Sequence, residues 1–286
     1  MKRSSCYQKL CRPRVGRGAF MLFAFITALA TTGFASAQSA TTPTQEEAKA
    51  ILMRTAEYMA SLSAFSVNVR DSYDTYQKSG QKIEYGEVRK ITIARPDRLR
   101  IEVEESDGAR NIITFDGKEL GITSTNPNVY AQIPKPGTID NALVFFVRDL
   151  GMRLPFAALL ITTAAAEIRQ RTTRIDYVEK TSIFGAPAHH IAGRTDSVDY
   201  QIWIADGDKP LPLRLVLTYP KETGQPSFRA QFSDWNLAPQ VTESTFALAP
   251  APGAQKIAFL AELPRSAAPK AAKAAKAPAK NAGEKK

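Results

Sequence analysis

The sequence predicts a mainly β fold with some α: a half-open antiparallel β-barrel of about eleven strands, an N-terminal helix and a central helical lid. Three observations lead there. Apolar and polar residues alternate with period two through much of the chain, as in sheets with one buried face. A capped pattern of helical spacing precedes the first strand. A very apolar stretch, residues 134–161, interrupts the alternation midway. Sheets this long curl, and the concave face must be filled; the two apolar helical segments could cap it.

The N-terminal helix starts at Thr44 and Glu47, an S/T-x-x-E capping box. Ala48, Ile51, Leu52, Thr55, Met59 and Leu62 then share one face. The first strands follow. Phe65, Val67 and Val69 alternate with polar residues, as do Ile91 and Ile93, then Leu99, Ile101 and Val103. Asp116–Gly117, between "NIITF" and "KELGIT", signals a tight hairpin. "NVYAQI" reads as a further short strand.

In the interruption, Thr138 is placed as an N-cap with Asp140 in the first turn. Ile139, Ala142, Leu143, Phe146 and Leu150 share a helix face, and Gly151 ends it. Pro155 is expected to open a second short apolar helix. Strands then resume. "RIDYVEKTSIFG" and "APAHHIAGR" form a hairpin, and Tyr200, Ile202 and Ile204 alternate with polar neighbours. Leu211, Leu213, Leu215, Leu217 and Tyr219 form the clearest apolar row, and Phe228, Ala230 and Phe232 close the set.

The ends of the chain differ from this core. Residues 1–37 combine six basic residues, the apolar run Ala19–Ala30 and an A-x-A pattern at Ala35–Ala37. That is the pattern of a secretory signal cleaved after Ala37, and the run is too short for a bilayer of about 30 Å. The expected location is the periplasm. Both cysteines, Cys6 and Cys11, precede the apolar run, so the mature chain is expected to hold no thiol or disulfide. Residues 265–286 are low-complexity Ala, Lys and Pro, with seven basic residues and one Glu. They read as a disordered basic tail, suited to an anionic envelope surface or simply solvated. The formal charge of +10 divides into +6 in each end segment and −2 in the core, 38–264. The basic balance therefore does not point to nucleic acid.

Four motifs in order resemble the LolA/LolB-like superfamily of outer-membrane lipoprotein carriers: "ARPDRLRIEVE", "ITFDGKEL", the strand with Tyr130, and "STFALAPAPGAQKI" at 244–257. "DYQIWIADGDKPLPLRLVLTYP" resembles a group of predicted periplasmic bacterial proteins of unknown function within it. The likeness spans about 45–260. It implies a LolA-like half-barrel whose concave face binds a lipid, a lipoprotein acyl chain or another hydrophobic ligand under a lid. It also implies that Arg95, in the R-P motif, bonds the lid. Gly121 departs from the pattern, standing where the carriers tend to have an aromatic.

The expected ligand-binding residues are Arg95, the sheet residues Ile91, Ile93, Leu213, Leu215 and Leu217, and the lid residues Leu143, Phe146 and Phe156. No cofactor, metal or catalytic residue is expected: G-x-S-x-G and H-E-x-x-H are missing, and Glu46–Glu47 and Glu104–Glu105 occupy ordinary solvated positions. The only histidines, His189 and His190, are adjacent on an expected strand and so face opposite ways. His189 is expected on the concave side with Ile191, as a polar wall residue with a hydrogen-bond partner, and His190 on the surface. An envelope interaction or sensory protein on the same fold is the alternative function.

Overall fold

The computed structural model describes residues 44–150 and 154–259. The expected signal segment and basic tail lie outside the described residues. Helix α1, Gln45–Ser61, begins at the expected box: Thr44 Oγ1 accepts from the Glu47 amide, and the Glu47 carboxylate accepts from the Thr44 amide. Ala48, Leu52, Thr55, Ala56 and Met59 are its buried face. The buried Thr55 hydroxyl donates to the Ile51 carbonyl, which removes the penalty of an unpaired polar group.

Six strands follow as a meander: β1 (Ala64–Tyr76), β2 (Lys82–Ala94), β3 (Arg98–Glu105), β4 (Arg110–Phe115), β5 (Glu119–Thr125) and β6 (Asn128–Pro134). The lid comes next, with α2 (Ile139–Val144), a π turn at Phe145–Asp149, a 3-10 turn at Ala157–Leu159 and helix α3 (Ala164–Arg171). A second meander runs through β7 (Arg174–Ile183), β8 (Ala186–Arg194), β9 (Asp199–Ala205), β10 (Pro212–Thr218) and β11 (Ser227–Asn236). One helical turn, α4 (Glu243–Phe246), and the two-residue β12 (Gln255–Lys256) end the described chain.

All twelve strands form one open sheet, in the order β12-β6-β5-β4-β3-β2-β1-β11-β10-β9-β8-β7. Long β1 joins the two meanders by pairing with both β2 and β11. Every pairing is antiparallel except the parallel contact of β12 with β6. The eleven expected strands are β1–β11; β12 is the addition, too short to show alternation.

Two tight hairpins illustrate the local chemistry. At the β4–β5 turn the Asp116 carboxylate accepts from the amides of Lys118 and Glu119, with Gly117 at φ 85°. Phe184 and Gly185, at φ 53° and 78°, make the β7–β8 turn, the sign that matches strand twist.

Three expectations need correction. The helix expected after Pro155 is a single 3-10 turn, Ala157–Leu159, and does not continue as an α-helix. The reason is that tertiary partners take the groups a helix would use. The Leu160 carbonyl accepts from Arg95, and the Thr162 amide donates to Asp140. The helix instead begins at Ala164 and continues through the polar "EIRQR" as α3. Second, the apolar row of β10 is broken by a bulge between Pro212 and Arg214. Pro212 takes the buried place opposite Ile204, and Leu213 is left out of register and half-buried. Third, His190 lies on the outer face but is covered. Its ring stacks on Trp203 at 4.0 Å and 12°, and Arg214 lies 5.6 Å over the same indole.

Candidate functional site

Directly paired residues of an antiparallel sheet share a face, so the registers trace the concave wall. One row runs Ile93, Leu99, Phe115, Leu120 across β2 to β5. The next runs Ile91, Ile101, Ile113, Ile122. On the far side of β1, Val69 pairs with Phe232, and Ala230 pairs with Leu215. Of the expected sheet residues, Ile91 and Ile93 are fully buried, Leu215 is buried, and Leu217 is partly buried against the core. Leu213 is the one the wall does not include.

The lid seals this wall. Capping box residues Thr138 and Asn141 start α2, which turns Ile139, Ala142 and Leu143 inward. Leu143 and Phe146 are buried in the same core as Ile91. Phe156 is fully buried, with ring centroids 6.0 Å from Phe228 and 5.8 Å from Phe232. In this arrangement the lid's own side chains occupy the concave side.

Arg95 follows β2 and lies beneath the lid. Its Nη2 donates to the Leu160 carbonyl at 2.7 Å and lies 3.5 Å from the Met59 carbonyl of α1. Nη1 stands 4.0 Å from the Asp140 carboxylate of α2, and Nε is buried without a partner. Asp140 in turn accepts from both the amide and hydroxyl of Thr162. One guanidinium therefore ties the end of β2 to α1, α2 and the lid. Burial pulls the Arg95 pKa down, and Asp140 opposes that.

Two cavities flank the sealed region. One of about 200 Å³ lies between α1, α3 and β7, with Leu52, Met53 and Ile168 among polar residues. The other, about 270 Å³, opens beside the lid at Pro155 and is lined by Tyr73, Glu87, Arg89, Tyr219 and Phe228. Behind it is a buried charge cluster that the sequence reading missed. Arg89 Nε donates to both Asp71 carboxylate oxygens at 3.1 Å, and Nη2 donates to Glu87. The signal was parity: Asp71 continues the inward series Phe65, Val67, Val69, and Arg89 and Glu87 continue Ile93, Ile91. Burial pushes the Asp71 carboxyl up to about 6, against the pull of Arg89.

His189 shares the inward face with Ile191, whose partner is Ile202. Its Nε2 donates to Asp206 at 3.0 Å, which leaves Nδ1 to accept from the Tyr177 hydroxyl at 2.9 Å. Asp206 is held below the usual carboxylate range, first by the Lys180 ammonium. Both imidazole nitrogens are thus engaged. Among the described residues, no three of His, Cys, Asp and Glu are grouped to hold a metal, and no helix is long and apolar enough to cross a membrane.

The family model for DUF2092, described as predicted periplasmic protein, matches residues 48–260, from α1 past β12. The chain belongs to this family. The DUF2092 domain is thus the open sheet with its N-terminal helix and lid. A comparison with curated proteins finds no match. Among solved structures, this DUF2092 chain is similar to the Mycobacterium tuberculosis lipoprotein LppX, at 14% identity and TM-score 0.44, over 69% of this chain and 99% of LppX. LprF from Mycobacterium bovis is similar at 14% identity and TM-score 0.44, over 69% of this chain and 96% of that one. A LolA superfamily protein from Nitrosomonas europaea is similar at 12% identity and TM-score 0.35, over 70% and 97%.

Proposed function

We propose that this DUF2092 protein binds a hydrophobic ligand, a lipid or lipoprotein acyl chain, on its concave wall beneath the lid, without transforming it. The observation that carries the reading is the lid itself. Its underside is apolar, through Leu143, Phe146 and Phe156, yet its chain is fastened by polar contacts centred on Arg95 and Asp140. A lid fastened by a few hydrogen bonds over an apolar wall can exchange its own side chains for hydrocarbon. Each buried CH₂ contributes about 0.8 kcal/mol, so an acyl chain can replace the contacts of Phe156 and Phe146. The 270 Å³ cavity at the lid's edge is the opening through which such a chain would start.

The domain that does this is residues 38–264, after a signal segment 1–37 and before the basic tail 265–286. The tail would hold the loaded protein near anionic envelope lipids or polymers. Native mass spectrometry with lipid extraction tests the main reading. Co-purified lipid, or saturable uptake of a fluorescent fatty acid, is expected. Protein that is free of lipid and takes up no such probe overturns it. Deleting residues 265–286 is expected to weaken binding to anionic vesicles at low salt, and unchanged binding removes the tail from the scheme.

A further inference from the structure

The cavity of about 270 Å³ at the lid's edge is chemically unlike the wall it interrupts. Arg89, which lines it, pairs across the sheet with Val69 and lies 6.0 Å over the ring of Phe156. At the cavity one guanidinium, Arg89, faces two carboxylates, Asp71 and Glu87, with side chains 8%, 0% and 16% exposed. Packed apolar residues would serve stability as well or better in such a place, so the cluster's value is sought in what it meets.

The composition of the cavity indicates the sign of that partner. Glu87 lies on its floor, and Glu222 is exposed at its rim. Asp74, also lining it, is already satisfied by Arg229 and the Ser227 amide. Arg89 turns Nε and Nη2 towards its own carboxylates, which offset its charge. Of the remaining lining, Tyr73, Tyr219 and Phe228 are aromatic, beside Pro155, Pro226 and Ser227. Aromatic faces with an excess of carboxylate attract a cation. The volume falls just under the 300–1,000 Å³ typical of whole-ligand pockets, and suits a head group. The position is also apt, because Pro155 lines the cavity and the next residue, Phe156, plugs the hydrophobic wall.

We propose that this cavity is the subsite for the polar end of the hydrophobic ligand, and that it takes a cationic nitrogen, a primary amine or quaternary ammonium. Glu87 and Glu222 supply the charge, and Tyr73, Tyr219 and Phe228 supply the faces. The proposal rests on the hydrophobic-ligand reading above and specifies its head group.

The test titrates the full chain calorimetrically with three monomeric amphiphiles of one alkyl length, bearing trimethylammonium, sulfate or maltoside heads. Near-physiological salt suppresses non-specific attraction of the sulfate to the basic tail. The ammonium probe is expected to bind about tenfold tighter than the maltoside. Glu87→Gln and Glu222→Gln should each reduce the ratio of ammonium to maltoside affinity severalfold. Glu222 is exposed, so its substitution does not endanger folding. Equal binding of the three heads, or preference for sulfate, overturns the cationic subsite while leaving hydrophobic binding in place. Binding of none of them overturns both.

Discussion

Arg95 Nη2 donates a 2.7 Å hydrogen bond to the carbonyl of Leu160, sixty-five residues later in the chain. The bond reaches from the end of β2 to the segment that crosses the concave wall. A charged hydrogen bond of this kind contributes about 1.5–3 kcal/mol. Arg95→Leu is therefore expected to free the segment Ala157–Thr162 more than the sheet. Hydrogen exchange should show the amides of Leu159 and Leu160 losing protection while those of β3 and β4 keep theirs. A ligand probe should leave the variant faster, and an unchanged off-rate with unchanged protection would discard the clasp.

Asp140 fastens the same segment from α2. Its carboxylate takes both the amide and the hydroxyl of Thr162. Asp140→Ala removes the hydrogen bonds to Thr162, which is exposed and can turn to water, at a cost of about 0.5–1.5 kcal/mol. Because Asp140 also faces Arg95, the two changes should not add. The double variant with Arg95→Leu is expected to lose less stability than the sum of the singles, measured by denaturant unfolding. Strict additivity would mean the two contacts act separately.

Phe156 fills the wall between Phe228 and Phe232. Phe156→Ala is expected to cost about 3–5 kcal/mol in the unliganded protein, as a large buried ring is lost. If hydrocarbon replaces this ring on loading, the variant should recover part of that loss when an acyl probe is added. Thermal shifts with and without the probe read the difference. An equal shift in wild type and variant would place the hydrocarbon elsewhere.

Much of this architecture is legible in the sequence because a curled sheet with one buried face writes period two into every strand. Val67 and Val69, or Ile91 and Ile93, declare their faces without any tertiary knowledge. The capping boxes at Thr44 and Thr138 are equally local. What is not legible depends on distant partners. The helix expected from Pro155 yields to Arg95 and Asp140, which lie far back in the chain. The bulge at Leu213 reflects the register that β9 imposes on β10. Asp71 and Arg89 escape notice for a different reason. Their parity is correct for the inner face, but charged residues there contradict the apolar pattern by which a buried face is recognised.

At Gly121, where the resemblance to the carriers implies an aromatic, the outer face is already covered. A Cβ at this position would lie 2.6 Å from Leu248 Cδ1. The C-terminal segment crosses there, fastened by Arg100 donating to the Thr245 carbonyl and by buried Phe246. Gly121→Phe is expected to displace that segment, at the 1–3 kcal/mol typical of overpacking. Limited proteolysis should then cut near residues 243–256 before the sheet is attacked. Resistance equal to wild type would show that Leu248 moves aside freely.

Asp71 should make stability depend on pH. Its carboxyl is raised from 3.8 to about 6, with burial the largest cause, Arg89 opposing it and Glu87 adding to it. Between those values the folded protein holds a proton that the unfolded chain has released. The contribution is therefore complete below the unfolded value and lost as pH rises through about 6. A shift of this size corresponds to about 3 kcal/mol. Asp71→Asn removes the titration and leaves Arg89 paired with Glu87, one cation to one anion. Relative to wild type, the variant should gain stability between pH 5 and pH 8 by about 1.4 kcal/mol, because only the unit below about 6 lies in that window. Urea unfolding at the two pH values measures it. If the difference between variant and wild type is the same at both, Asp71 is not the group that titrates.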